Sequence, residues 1–415
     1  MKRILLPGIL ALSITLSAAA NGPDGWEAAP DLIELQSERR PGINYHEAKV
    51  PAYELPDPLL TPAGVTVTTV EEWRAQRTHI LDLFREHVYG RSPGKPEAVR
   101  FEEIEIDPEA MDGNATLKRV EIISEVADRE HRFEVVLFVP NERKGPAPTF
   151  LLMNNRDRNN TDPTRDERSG FWPAEEVVER GYAIAAFQVG DVAPDNQSNF
   201  RDGVIRLFEG DVEERPDDAW AALAGWGWGA HRVMDYFETD IDIDAKRVGV
   251  VGHSRGGKAS LWAGARDERF AMVVSNNSGC GGAALNRRRY GETVARINNR
   301  FPHWFCENFN RYNDNEDNLP VDQHTLIALV APRAVYVASA DRDLWADPRG
   351  EFLSLAHASR VYALWGHDTI DPEKMPPLDN PLQYGPIGYH IRSGGHNLTP
   401  YDWHRFIDLA DEVLR

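Results

Sequence analysis

Ser254 stands in Gly252-His253-Ser254-Arg255-Gly256, a G-x-S-x-G. A serine hydroxyl is a weak nucleophile at neutral pH and needs a base within hydrogen-bond reach, backed by an orienting acid. On doubly wound sheets these three follow the chain order serine, acid, histidine. His396 fits the base, in the Gly-rich Ser393-Gly394-Gly395-His396 before the last helical stretch. His390, earlier in the same loop, is the reserve. His253 adjoins the serine and is expected to point away, and His404 reads as a packing or surface residue. The acid is expected in the segment 338–348, which offers Asp341, Asp343 and Asp347. Asp343 lies far enough past a strand end to turn inward. Asp341 is the runner-up, and Asp347, before Pro348, reads as a helix cap. Arg255 follows the nucleophile, so its N–H and guanidinium can meet a developing oxyanion. It can equally be a surface arginine paired with an acid.

The surrounding elements must hold these groups. Val248, Val250 and Val251 read as a buried strand and 259–265 as an Ala-rich helix, the strand–turn–helix setting this motif needs. Further strands are expected at 118–126, 132–139, 149–153, 182–187, 270–274, 334–338 and 361–364. Helices are expected at 172–180, 218–238, 349–357 and 401–414. A Thr69/Glu72 capping box opens another helix, closed by Gly90. Residues 21–60 read as an extended wrap, and 190–218 as an acidic surface insertion. Strands alternating with helices predict an α/β class with a doubly wound, mostly parallel sheet carrying large loop insertions.

The chain has 415 residues and a formal net charge of −20. So acidic a surface argues against nucleic acid and anionic membranes as partners. Residues 1–20 have the form of an export signal: Lys2 and Arg3, a short apolar run, then small residues. They predict a periplasmic or secreted protein, one domain over 21–415, with no membrane insertion and a monomeric state. Cys280 and Cys306 fall in one loop-rich region, and in an oxidising compartment one disulfide between them is the favoured expectation over two buried thiols.

Several separated motifs agree in order with one family. Gly252-His253-Ser254-Arg255-Gly256-Gly257-Lys258, Ser278-Gly279-Cys280-Gly281-Gly282-Ala283-Ala284, Gly291-Glu292-Thr293, Phe301-Pro302-His303-Trp304-Phe305, Leu344-Trp345-Ala346-Asp347-Pro348 and Gly395-His396 together resemble the bacterial glucuronoyl esterases. The resemblance runs from about Trp172 to the C-terminus. It implies an α/β-hydrolase fold, a Ser-His-acid triad, and no metal or other cofactor. It implies cleavage of the ester between 4-O-methyl-glucuronic acid on glucuronoxylan and lignin alcohols. Ser254 is then the nucleophile, His396 the base and Arg255 the oxyanion group. Lys258, Glu292 and Trp345 match positions that hold the uronate hydroxyls; without the resemblance, Lys258 and Glu292 read as an ion pair. One position departs from the pattern. Asn277 stands where many members carry a catalytic Glu, and the family's alternative acid position falls on Asp343. The rival readings are an acetyl or feruloyl xylan esterase and a silent carbohydrate-binding protein that keeps the fold.

Overall fold

The computed structural model describes residues 21–22 and 25–415. The export signal expected at 1–20 lies outside the described residues. The largest sheet among them is built from β1 (Ala98–Ala110), β2 (Ala115–Val126), β3 (Arg129–Pro140), β4 (Ala147–Asn154), β5 (Ala183–Gln188), β6 (Ile243–His253), β7 (Phe270–Asn276), β8 (Ala334–Ala340), β9 (Leu382–Tyr384) and β10 (Ile387–Arg392). Their spatial order is β9-β10-β8-β7-β6-β4-β5-β3-β2-β1. From β10 to β5 every pairing is parallel. Antiparallel strands flank this block on both sides. The result is the α/β-hydrolase fold.

Six longer helices surround the sheet: α1 (Pro30–Arg39), α2 (Val70–Phe84), α3 (Ala222–Phe237), α4 (Arg255–Arg266), α5 (Pro348–Tyr362) and α6 (Pro400–Val413). The apolar runs of the central strands follow from cover on both faces. On β4, Leu151 and Met153 join the core that contains α3, while Phe150 and Leu152 join the core that contains α6. Helix α3 is buried all round, and its Trp226 and Trp228 indoles donate to main-chain carbonyls of Ala193 and Gly94. The Thr69/Glu72 capping box opens α2 as expected.

Three expectations need correction, and one strand was not foreseen. Residues 361–364 are not a strand: they close α5 and pass into a single 3₁₀ turn. A four-residue apolar run carries no period that separates strand from buried helix. The last strands are instead β9 and β10. Residues 21–60 include the helix α1 and are not simply an extended wrap. Strand β1 was not foreseen, because its exposed Glu102, Glu103 and Glu105 mark an outer edge with little apolar alternation. Finally, Cys280 and Cys306 are both free and buried. Each thiol has its own acceptor, Asn286 Oδ1 at 3.3 Å and the Glu86 carbonyl at 3.7 Å.

The parallel register brings four chain segments to one sheet end. His253 pairs with Asn276, Asn276 with Ala338, and Ala340 with Arg392. Loops leaving β6, β7, β8 and β10 therefore emerge side by side at the carboxyl ends of the strands, where open α/β sheets present their ligands.

Candidate active site

The turn from β6 into α4 holds Ser254 at φ 57°, ψ −125°, a conformation L-residues rarely adopt. Gly252 is what lets the turn close: a Cβ there would lie 2.0 Å from the Gly256 carbonyl oxygen. The strained turn lifts the hydroxyl off the sheet and aims it at the neighbouring loops. Gly257 N–H donates to the Ser254 carbonyl at 2.9 Å, while the N–H groups of Arg255 and Gly256 at the helix start have no partner within the helix.

His396 Nε2 lies 2.9 Å from Ser254 Oγ, and His396 Nδ1 lies 2.6 Å from Asp343 Oδ2. Asn277 Nδ2 donates to the same Asp343 oxygen at 3.1 Å. The four adjacent strand ends thus deliver serine, amide, carboxylate and imidazole in one line. Such a relay can take the hydroxyl proton and stabilise the imidazolium that results. The other candidates lie elsewhere. Asp341 accepts from the Gly394 N–H at 2.7 Å and so pins the histidine loop. Asp347 caps α5 and pairs with Arg288. His390 is buried on β10 against Asp402, and His404 bonds Glu176.

His253 does point away. Its Nε2 faces the Arg156 guanidinium at 2.9 Å and its Nδ1 faces Asn276 Oδ1 at 2.6 Å. Arginine only donates, so His253 must be the neutral Nδ1–H tautomer. Burial, and then the His396 charge, push its pKa well below the ordinary range.

Arg255 is paired with an acid and also sits beside the serine. It lines the cavity at Ser254, and its Nη1 is held by Asp195. Its guanidinium lies over the Trp304 ring, 4.7 Å from the centroid. Asp195 also accepts from Trp304 Nε1 at 2.7 Å and faces His303 Nε2 at 2.9 Å. Burial alone would raise the Asp195 carboxyl, but the His303 bond, the Arg255 charge and the Trp304 bond outweigh it and hold it at about 2. Sequence reasoning missed Asp195 because it lies in an insertion crowded with acids. The signal available was the aromatic pair across from it, in Phe301-Pro302-His303-Trp304.

A cavity of about 200 Å³ opens at Ser254, lined by Arg255, Lys258, Glu292, Phe301, Trp304 and Trp345. Lys258 is buried, 3.6 Å from Glu292 Oε2, and donates to the main-chain carbonyls of Ser278 and Cys280. The ion pair and the lining position coexist. Arg40, from the residues just after α1, also lines this cavity and covers Trp345, 4.6 Å from the ring centroid. It too was missed, because nothing in the N-terminal segment carries a motif.

Under the site lies Glu351, fully buried on α5. It accepts from the N–H groups of Ser278 (2.7 Å) and Gly279 (3.0 Å) and from Ser339 Oγ (2.6 Å). Burial is the main reason its carboxyl is pushed up to about 8. Between the usual carboxylate range and that value, the folded chain keeps a proton that the unfolded chain releases. Stability therefore falls as pH rises through that window. Glu351→Gln is expected to gain stability relative to wild type between pH 5 and pH 8. Urea midpoints at the two pH values measure this; a constant difference would remove Glu351 as the cause.

Comparison with known proteins places the chain. A family model described as glucuronyl esterase of fungi matches residues 122–366, more than half of the chain. The chain is 40% identical over 419 residues to carbohydrate esterase MZ0003 of an unknown prokaryotic organism, covering 94% of this chain and 95% of that protein. It is 27% identical over 373 residues to a 4-O-methyl-glucuronoyl methylesterase of Neurospora crassa, covering 87% and 83%. Among solved structures, a glucuronoyl esterase from Solibacter usitatus superposes with a TM-score of 0.83 at 39% identity, over 89% of this chain and 100% of that one.

Proposed function

This chain belongs to the glucuronoyl esterase family, enzymes that hydrolyse carboxylic esters, and from that premise we propose that Ser254, His396 and Asp343 form the catalytic triad of an exported esterase acting on glucuronoxylan. The observation that carries the reading is the unbroken contact line from Ser254 Oγ through both nitrogens of His396 to Asp343, opening on a cavity lined by Arg255, Lys258, Glu292 and Trp345.

In this mechanism His396 Nε2 takes the serine proton as Oγ attacks the uronoyl carbonyl carbon. The oxyanion forms beside Arg255. Asp195 holds that guanidinium through Nη1, and Arg255 Nε has no partner among the described residues. Fixed donors of this kind stabilise developing charge without reorganising. His396 then returns its proton to the alcohol as the C–O bond breaks. Water, activated by the same imidazole, hydrolyses the acyl-enzyme and releases the uronate. Lys258 and Glu292 hold the sugar hydroxyls and Trp345 supplies a flat wall beside them. One face of that wall is already taken by Arg40.

The substrate is the ester of xylan-borne 4-O-methyl-glucuronic acid with a lignin alcohol, met outside the cytoplasm by a monomer. The family membership, with relatives named 4-O-methyl-glucuronoyl methylesterase, supports this substrate. The acyl part of an acetyl ester carries no sugar ring, so it brings no hydroxyls to Lys258 and Glu292. Purified mature protein is therefore expected to hydrolyse benzyl glucuronate with a kcat/KM about a hundredfold above that for acetylated xylan. Preference for the acetyl ester would overturn the substrate, and turnover of neither would favour a binding protein.

A further inference from the structure

A second cavity, of about 400 Å³, adjoins the first and shares His396, Trp345 and Arg40 with it. Arg39, Arg40 and Arg342 line it, all three exposed. Arg40 reaches Tyr45 Oη at 3.3 Å and covers Trp345. Among the described residues none of the three guanidiniums forms an ion pair, although the Arg342 charge acts on the adjacent Asp341 carboxyl. That is unusual in a chain with 66 acidic residues against 46 Lys and Arg. Elsewhere on the surface arginines are well neutralised: Arg91 meets Asp82, Glu86 and Asp218, and Arg100 meets Glu102, Glu125 and Glu130. Arg39 ends α1, where a cation favours the helix dipole, but that accounts for one of three. The Asp343 carboxylate on the cavity wall is engaged by His396 and Asn277.

We propose that this cavity is an anion subsite that takes a free carboxylate carried by the substrate beyond the esterified ring. The proposal rests on the reading given under Proposed function. An ester carbonyl is neutral, so the esterified ring itself needs no such field. An acidic polysaccharide carries unesterified uronates beside the esterified one. Guanidinium forks match a carboxylate bidentately. A cleft lined by one sign of charge, on a protein of opposite net charge, concentrates anions at its mouth. The field comes from exposed groups and is screened by salt.

The test uses two esters: benzyl glucuronate, with no free carboxylate, and an esterified xylan fragment that also bears unesterified uronates. The readout is the ratio of their kcat/KM values, acidic over neutral. In the double variant Arg39→Gln/Arg342→Gln this ratio is expected to fall about tenfold at low ionic strength. In wild type, raising the salt from about 0.02 to 0.5 M is expected to produce a similar fall. Both residues are exposed, so folding is expected to persist, and thermal melts check it. An unchanged ratio, or an equal loss on both esters, overturns the subsite. If wild type hydrolyses neither ester, the esterase reading has failed instead.

Discussion

Ser254→Ala is expected to lower turnover of benzyl glucuronate by a factor on the order of 10⁵ to 10⁶, leaving only what the oxyanion donors and binding contribute. The loss is this large because, in the proposed mechanism, the hydroxyl is the atom that bonds to substrate; without it His396 and Asp343 have nothing to activate. The same position carries a second expectation. Ser254 is held at φ 57°, ψ −125°, and alanine inherits that conformation unchanged. Ser254→Ala should therefore melt close to wild type. Ser254→Gly, equally inactive, should melt higher than Ser254→Ala, because glycine pays no Cβ penalty there; relief of such strain is about 1 kcal/mol or more. Kinetics and thermal melts on the three proteins separate the roles. Appreciable turnover by Ser254→Ala would discard the nucleophile. A lower melting point for Ser254→Gly would show that the turn stores no strain.

How much of this was legible in the sequence depended on how local the constraint was. The Ser254 turn needs its flanking glycines, so a short motif reports it. His396 and Asp343 could be placed because the chain order on such sheets is fixed by which strands neighbour β6. Arg255 adjoins Ser254 and needed no tertiary information. Asp195 and Arg40 are different. Each reaches the site from a segment whose composition resembles any acidic loop or N-terminal arm, and only the packing of Trp304 and Trp345 selects them. Strand β10 was hidden for a related reason. It carries His390 and Arg392, which look exposed in sequence yet are buried because Asp402 on α6 binds both. Arg392 in turn donates to the carbonyls of Ser393, Gly395 and Asn397, on either side of His396. The loop that carries His396 is thus shaped by a buried ion pair that no periodicity reveals. The disulfide expectation failed because nearness in sequence does not bring two side chains together.

Asp343→Asn is expected to cost on the order of 10³ to 10⁴ in kcat, whereas Asp341→Asn should cost less than about tenfold. Both carboxylates leave the same strand end, but they do different work. Asp343 accepts from His396 Nδ1 at 2.6 Å, so in the proposed mechanism its charge balances the imidazolium formed when Ser254 attacks. An amide at that place has no charge to offer. Asp341 accepts the Gly394 N–H at 2.7 Å, a bond that an amide oxygen can also make. Equal losses would discard Asp343 as the acid. A third variant sharpens the argument. Asn277 Nδ2 is 3.1 Å from Asp343 Oδ2, and the family resemblance implies a glutamate at the Asn277 position. Its φ of 46° favours asparagine, which tolerates the left-handed region better than glutamate does. Asn277→Glu alone would set two carboxylates against each other and should impair the enzyme. Added to Asp343→Asn, the same change supplies the missing anion within reach of His396 and should recover part of the lost kcat. Such a gain in the double variant, against a loss in the single one, is what a shared acid position requires and what two unrelated structural roles would not produce.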